Sequence, residues 1–97
     1  MLRSSKPDYE KVKRAHRVLK TISHPLRLKM LAFIDRNEEV NVNKIYKTLK
    51  IEQSITSQHL RLLRDAGIVR SKRSGKEVNY SIDYERLNSV IEVTRNF

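Results

Sequence analysis

Apolar residues recur at three- and four-residue steps in five stretches of the chain, which is the spacing that lines one face of an α-helix. The predicted helices span about residues 8–21, 25–36, 42–49, 54–67 and 84–95. The second helix is apolar around most of its circumference, so we expect it at the centre of the core. Pro25 suits the first turn of that helix, where a missing backbone N–H costs nothing.

Between the fourth and fifth helices the spacing changes to alternation. Apolar side chains that alternate with polar ones, as in a half-buried strand, are Val78, Tyr80 and Ile82. We predict a hairpin of strands 68–73 and 77–82 with its turn at Ser74-Gly75, and a short extra strand near 40–42. Asp83 offers an N-cap to the last helix. The sequence therefore predicts a mainly α chain with a small β-hairpin, in the order α-α-α-α-β-β-α.

The third and fourth predicted helices, with the tight turn between them, form a helix-turn-helix. The second helix of this motif enters the major groove of DNA through residues near its N-terminus. The polar side chains expected to point outward there are Gln53, Ser54, Ser57, Gln58 and Arg61. Gln pairs bidentately with adenine, Arg with guanine, and Ser with bases or phosphates. Spacing alone leaves open which of the five contact bases.

The predicted hairpin carries basic residues, and beside a recognition helix it is typical of a winged helix. Three of its basic residues cluster at the tip and one lies at the base: Lys72, Arg73 and Lys76, and Arg70. We expect them to contact phosphates or to enter the minor groove. The alternative is that they are solvated charges on a turn. Between residues 61 and 76, six basic residues stand against one acid, Asp65, which favours DNA contact for the group.

The charge of the whole chain points to a polyanionic partner. Its 97 residues, expected to form one domain with a loose basic arm at 1–7, contain 21 Lys and Arg against 11 Asp and Glu, a net charge of +10. Neutralising phosphates with such a surface releases counterions and drives binding. Charge alone does not separate DNA from RNA or an anionic membrane.

The composition also limits the chemistry. The chain has no cysteine, which removes disulfides, thiolate metal sites and thiol redox sensing. Three scattered histidines do not form a ligand cluster, so we expect neither a metal nor a cofactor. No apolar run approaches the roughly 18–20 residues of a membrane span, and no signal peptide opens the chain, so we expect no membrane partner and a cytoplasmic protein.

His59 lies in the predicted recognition helix, one residue before the inward-facing Leu60. One interpretation is a contact to a base or a phosphate. The other is a packed, hydrogen-bonded imidazole that braces the helix pair, and we favour this second interpretation.

Several short motifs occur together in the chain. They are His24-Pro25-Leu26-Arg27-Leu28, Ser57-Gln58-His59-Leu60, Leu63-Arg64-Asp65-Ala66-Gly67-Ile68-Val69, and Gly75-Lys76 before Tyr80. With these motifs the chain, from about residue 18 to 82, resembles the ArsR/SmtB family of bacterial winged-helix repressors. The resemblance implies a cytoplasmic, homodimeric transcriptional repressor with a winged helix-turn-helix fold, in which the first and last helices pair across the two-fold axis.

Apolar stripes on the first and last helices agree with such a dimer. The candidate interface residues are Val12, Ala15, Leu19, Leu87, Val90 and Ile91. The alternative is that they pack only on their own core. A two-fold dimer would place two recognition helices about 34 Å apart, one turn of DNA, and so require an inverted repeat.

The chain departs from the metal-sensing members that it resembles. Some of those members hold a Cys-x-Cys pair at the third helix, where this chain has Asn41 and Asn43. Others bind zinc through Asp and His on the last helix, and residues 84–97 contain no His. We therefore expect a member that does not sense metals, with an effector, if one exists, that the sequence does not identify.

Taken together, these features predict a transcriptional regulator that binds double-stranded DNA sequence-specifically, with helix 54–67 in the major groove and hairpin 68–82 as wing. The alternative is a non-specific nucleic-acid-binding or architectural protein, which shares the charge but does not need exposed Gln and Ser. A winged-helix module that contacts only proteins would not need a basic wing. An enzyme is disfavoured, because the chain has no Gly-rich phosphate loop, Cys nucleophile or paired carboxylates.

Overall fold

A computed structural model describes residues 8–95, so the basic arm predicted at 1–7 lies outside the described residues. Within residues 8–95, five helices and three short strands follow one another along the chain. They are α1 (Tyr9–Ile22), α2 (Pro25–Asn37), β1 (Val40–Asn41), α3 (Val42–Leu49), α4 (Gln53–Asp65), β2 (Val69–Ser74), β3 (Glu77–Ile82) and α5 (Tyr84–Arg95). The predicted order of elements is confirmed, and the short extra strand is present as β1.

Side-chain caps fix where most of the helices begin. An Asp8 carboxylate oxygen accepts from the Lys11 N–H at 3.2 Å, which makes Asp8 the cap of α1 and not its first residue. Asn41 caps α3 by accepting from the Lys44 N–H at 2.8 Å, and Asp83 accepts from the Arg86 N–H at 3.0 Å at the start of α5. These local hydrogen bonds satisfy N–H groups that the first turn of a helix leaves without a partner.

Helix α4 is shorter at its end than its pattern predicts. It spans Gln53–Asp65 instead of 54–67, and the chain leaves it through Gly67, whose φ of +80° is in the left-handed region. The Gly67 N–H donates to the Arg64 carbonyl at 2.9 Å, and the Ile68 N–H donates to that of Leu63 at 3.0 Å. The glycine thus closes the helix, as predicted, from just beyond its last turn.

The three strands form an antiparallel sheet in the order β1-β3-β2. In the β2–β3 hairpin Val69 pairs with Ile82 and Ser74 pairs with Glu77, so the turn is Gly75-Lys76 and not the predicted Ser74-Gly75. Gly75 has a φ of +64°, which a two-residue hairpin turn requires at its first position. Strand β2 begins one residue later than predicted, at Val69, and Ile68 just before it is fully buried.

The core centres on α2, as predicted, with Met30, Leu31, Phe33 and Ile34 buried. Leu28 of the same helix is 49% exposed, so the apolar circumference of α2 is not buried on every side. Helix α1 buries only part of its apolar face. Its buried residues are Ala15, Val18 and Ile22, whereas Val12 and Leu19 are only half-buried. Within residues 8–95 no helix is long and apolar enough to cross a membrane.

Candidate nucleic-acid interface

Helix α4 is held by one side and exposed on the other. Thr56, Leu60 and Leu63 are fully buried against the core. All five residues that the sequence predicts to face DNA are exposed: Gln53, Ser54, Ser57, Gln58 and Arg61. Anchoring by three buried residues gives these polar side chains a fixed direction, which is what recognition of a groove requires.

An open groove lies between α4 and the hairpin. Its lining residues are Ser54, Ser57, Gln58, Arg61, Arg64 and Tyr80. Four of the five predicted α4 residues therefore meet in one groove, while Gln53 is not part of its lining. Tyr80 belongs to the middle strand β3, so the groove joins the helix-turn-helix to the wing. Sequence reasoning missed Tyr80 here, because alternation marks it only as a core-facing strand residue.

The register of the hairpin distributes its basic side chains. Paired residues of antiparallel strands lie on the same face of a sheet, and successive residues alternate between faces. Arg73 pairs with Val78 and so shares the face of Tyr80, whereas Lys72 pairs with Asn79 on the opposite face. Lys76 stands in the turn, and all three basic residues are exposed. The wing therefore presents positive charge on both of its faces and at its tip.

Arg70, at the base of the hairpin, is engaged by a neighbour. Its guanidinium donates to one carboxylate oxygen of Asp83, from Nη2 at 3.0 Å and from Nε at 3.2 Å. Asp83 also accepts from the Arg86 N–H at the start of α5. The backbone N–H of Arg86, followed by the side chain of Arg70, lowers the pKa of Asp83. Arg70 thus ties the wing to α5, so a phosphate contact by this residue stays a prediction.

Within residues 8–95, no side chain caps the first turn of α4. Glu52 precedes the helix and makes no side-chain capping hydrogen bond, and the first turn contains no acidic residue. The backbone N–H groups of that turn point out of the helix end with the positive end of its dipole. An anion such as a DNA phosphate is stabilised at this position.

His59 links α4 to the start of α2. The Nε of Arg27 donates to His59 Nδ1 at 3.0 Å, and the rings of His24 and His59 lie 4.7 Å apart. Arg27 also donates to the Thr21 carbonyl at 2.8 Å. Burial, followed by the charges of Arg27 and His24, lowers the pKa of His59. The packed interpretation of His59 agrees with these contacts, while Arg27 had no sequence signal at a separation of 32 residues.

Asn41 has a structural task at the position that the resemblance relates to a cysteine ligand. It caps α3, and its side-chain amide donates to a Glu77 carboxylate oxygen at 3.4 Å, which links α3 to the hairpin. Among residues 8–95, no group of three or more His, Cys, Asp or Glu side chains is placed to hold a metal ion.

Comparison with known proteins identifies the family. Residues 24–71 match the family described as "Bacterial regulatory protein, arsR family". The chain is also 36% identical over 76 residues to the transcriptional repressor PagR of Bacillus anthracis, an alignment covering 78% of this chain and 76% of PagR. The chain belongs to the ArsR family. A further relative of this ArsR-family chain is the HTH-type transcriptional regulator YgaV of Escherichia coli, 33% identical over 79 residues that cover 81% of the chain and 80% of YgaV.

Solved structures agree with this assignment. The crystal structure of PagR superposes with a TM-score of 0.75 and 32% identity, over 89% of this chain and 98% of PagR. A homodimeric winged helix-turn-helix DNA-binding domain from Mycobacterium bovis shares the fold, with a TM-score of 0.74 and 24% identity over 99% of this chain and 91% of that domain. The ArsR-family chain is therefore a winged helix-turn-helix protein and a DNA-binding transcriptional regulator, as its sequence predicts.

Proposed function

We propose that this regulator is a homodimeric repressor that reads an inverted repeat in double-stranded DNA. The outer face of α4 enters the major groove, and the β2–β3 hairpin lies on the adjacent backbone or in the minor groove. The observation that carries this proposal is the shared groove, in which polar side chains of α4 stand beside Tyr80 of the wing. DNA binding through this surface needs neither a cofactor nor a catalytic residue. The proposed repressor acts in the cytoplasm.

The groove residues divide by the chemistry of DNA. Gln58 and Arg61 carry the bidentate groups that distinguish adenine and guanine in the major groove, and Ser54 and Ser57 bond to bases or phosphates. Gln53, at the exposed start of α4, lies beside the N–H groups available to a phosphate.

The exposed wing residues Lys72, Arg73 and Lys76 neutralise phosphates and supply affinity without sequence preference. Arg70 orients the wing through Asp83.

Dimerisation through α1 and α5 completes the proposal. An apolar groove on this side of the protomer has Val12, Leu19 and Thr94 in its lining, and Ile91 of α5 is 42% exposed. Leu87 is half-buried, whereas Ala15 and Val90 are already buried within the protomer and leave little surface for a partner. A second copy that covers Val12, Leu19 and Ile91 would place two α4 helices about 34 Å apart.

The alternative is a non-specific nucleic-acid-binding protein, which the charge of +10 alone would satisfy. Selection of duplexes from a random pool separates the two functions. We expect enrichment of an inverted repeat, followed by tighter binding to that repeat than to a random duplex or to RNA of equal length, by at least about 1,000-fold. Equal binding to all three nucleic acids would reject the sequence-specific repressor.

A further inference from the structure

Three arginines line one pocket at the junction of α1, α4 and α5. Arg14 and Arg17 come from α1 and Arg86 comes from α5. Within residues 8–95 none of the three guanidinium groups makes a hydrogen bond or an ion pair. The acid of this pocket, Asp65, lies 4.0 Å from Arg64 and is largely exposed. The pocket therefore holds a local excess of positive charge.

The floor of the same pocket is apolar. Val18 is nearly buried there, and Leu62, which is 41% exposed, and Ala66 stand beside it. The Arg86 side chain lies close to Gly67, just beyond the end of α4. Its Nε is 3.3 Å from the position that a Cβ on residue 67 would take. Gly67 thus leaves room for the Arg86 side chain. The pocket combines a cationic rim with an apolar surface.

Such a combination fits a ligand with an anionic head and an apolar body. The guanidinium fork matches carboxylate, phosphate and sulfonate oxygens, with two parallel hydrogen bonds from one arginine. Three like charges in one concave site repel each other, and an anion between them removes that repulsion. Leu62 and Ala66 at the floor supply an apolar surface. An apolar group that covers this surface removes it from water, which stabilises the complex.

This pocket is separate from the DNA groove. Leu62 and Asp65 of α4 and the C-cap residue Ala66 line the pocket, whereas Ser54, Ser57 and Arg61 of α4 line the groove. The two linings have no residue in common. A duplex docked in the groove contacts the groove residues, so the pocket residues remain accessible to another ligand.

We propose that the pocket at the α1, α4 and α5 junction binds a small organic anion, with its carboxylate, phosphate or sulfonate head on Arg14, Arg17 and Arg86. Its apolar part lies on Leu62 and Ala66. An effect on DNA binding rests on the function proposed above. Along α4, Arg61 of the groove and Asp65 of the pocket are four residues apart, about 6 Å of helix rise, which is less than the Debye length of about 10 Å. The bound anion therefore lowers the attraction between α4 and DNA.

The test measures binding of anilinonaphthalene sulfonate, an aromatic anion, to the full chain without DNA. Uncharged phenylnaphthylamine, which has the same rings, is the ligand control. We compare Arg14→Gln/Arg17→Gln with Lys20→Gln/Lys29→Gln, which removes equal charge from exposed residues outside the pocket. The arginine pair is expected to weaken sulfonate binding at least about tenfold, and the lysine pair less than about twofold. Circular dichroism checks that each variant is folded.

A second variant tests the apolar floor. Leu62→Gln keeps the three arginines and is expected to weaken binding of the sulfonate as well. Equal affinities of the wild type and the arginine pair, or equal losses in the two charge-matched pairs, would overturn the proposal. These results do not depend on sequence-specific DNA binding, because no DNA is present, so a failure here is distinct from a failure of the proposed repressor.

A further measurement with DNA tests whether the three arginines bind a small anion or the phosphates of the DNA backbone. Affinity for a random duplex is measured over a range of salt concentrations for both pairs. We expect both pairs to show the same salt dependence. A slope that falls by about 2 per protomer more in the arginine pair than in the lysine pair would assign the arginines to phosphates and overturn the small-anion site.

Discussion

At the scale of single residues, His59 shows how a side chain in a DNA-reading helix can serve the fold. It lies on the part of α4 that turns toward α2, where Arg27 donates to its Nδ1. The acceptor nitrogen must be unprotonated to receive this bond. A charged His59 would lose the bond and face the guanidinium of Arg27, so the contact favours the neutral imidazole.

This contact predicts how stability depends on pH. Burial, Arg27 and His24 lower the pKa of His59 below its ordinary value of 6.5. The unfolded chain takes up a proton near that pH, and the folded chain takes it up only at lower pH. The contribution of His59 to the free energy of unfolding is therefore complete above pH 6.5. It is lost as the pH falls from 6.5 through the native pKa.

Urea denaturation of the wild type and His59→Gln between pH 7.5 and the acid range measures this effect. The variant is expected to lose less stability over that range, because it lacks the titrating imidazole. His16→Gln, a change at an exposed histidine of α1, keeps His59 and should follow the wild type. Parallel curves for the wild type and His59→Gln would contradict the account.

At the scale of elements, local signals specified most of the fold. The bounds of α3 and α5 agree with the sequence pattern, since Asn41 and Asp83 are capping residues with partners three positions away. The inward face of α1 could not be predicted in the same way. Val18 and the pair Val12 and Leu19 lie on neighbouring stripes, and helical periodicity does not tell which stripe faces the protomer's own core.

The partly exposed stripe of α1 and α5 leads to a prediction about assembly. Ile91→Glu would place a carboxylate in the proposed dimer interface, where desolvation costs several kcal/mol. Since about 2.8 kcal/mol corresponds to 100-fold, we expect dimerisation to weaken by at least about 100-fold in sedimentation equilibrium. Leu62→Glu is the matched control, because Leu62 is 41% exposed, almost equal to the 42% of Ile91, and does not line the apolar groove that contains Val12 and Leu19.

A monomeric Ile91→Glu variant with the wild-type circular dichroism spectrum would support the interface. A variant that remains dimeric at the wild-type dissociation constant would remove α5 from it. Loss of dimer in both variants would show that the loss is not specific to Ile91.

At the scale of the whole molecule, the candidate site joins parts of the chain that only tertiary structure brings together. The polar face of α4 and the basic hairpin could be predicted from the sequence, because each has its own periodicity and charge. The position of Tyr80 in the groove, the pair of Arg70 with Asp83 and the gathering of three arginines depend on how distant elements pack. Charge patterns do not contain that information, so Arg70 was predicted with the free basic residues of the wing.

The most direct test of the central claim, that α4 reads bases while the wing holds phosphates, is the salt dependence of affinity for Lys76→Ala and Gln58→Ala on the selected duplex and on its single-base variants. We predict that Lys76→Ala lowers the slope by about 1 for each wing and weakens all duplexes equally. Gln58→Ala should keep the slope and lose about 1–3 kcal/mol of discrimination at one base position. A Lys76→Ala slope equal to that of the wild type, or unchanged base preference in Gln58→Ala, would contradict the account.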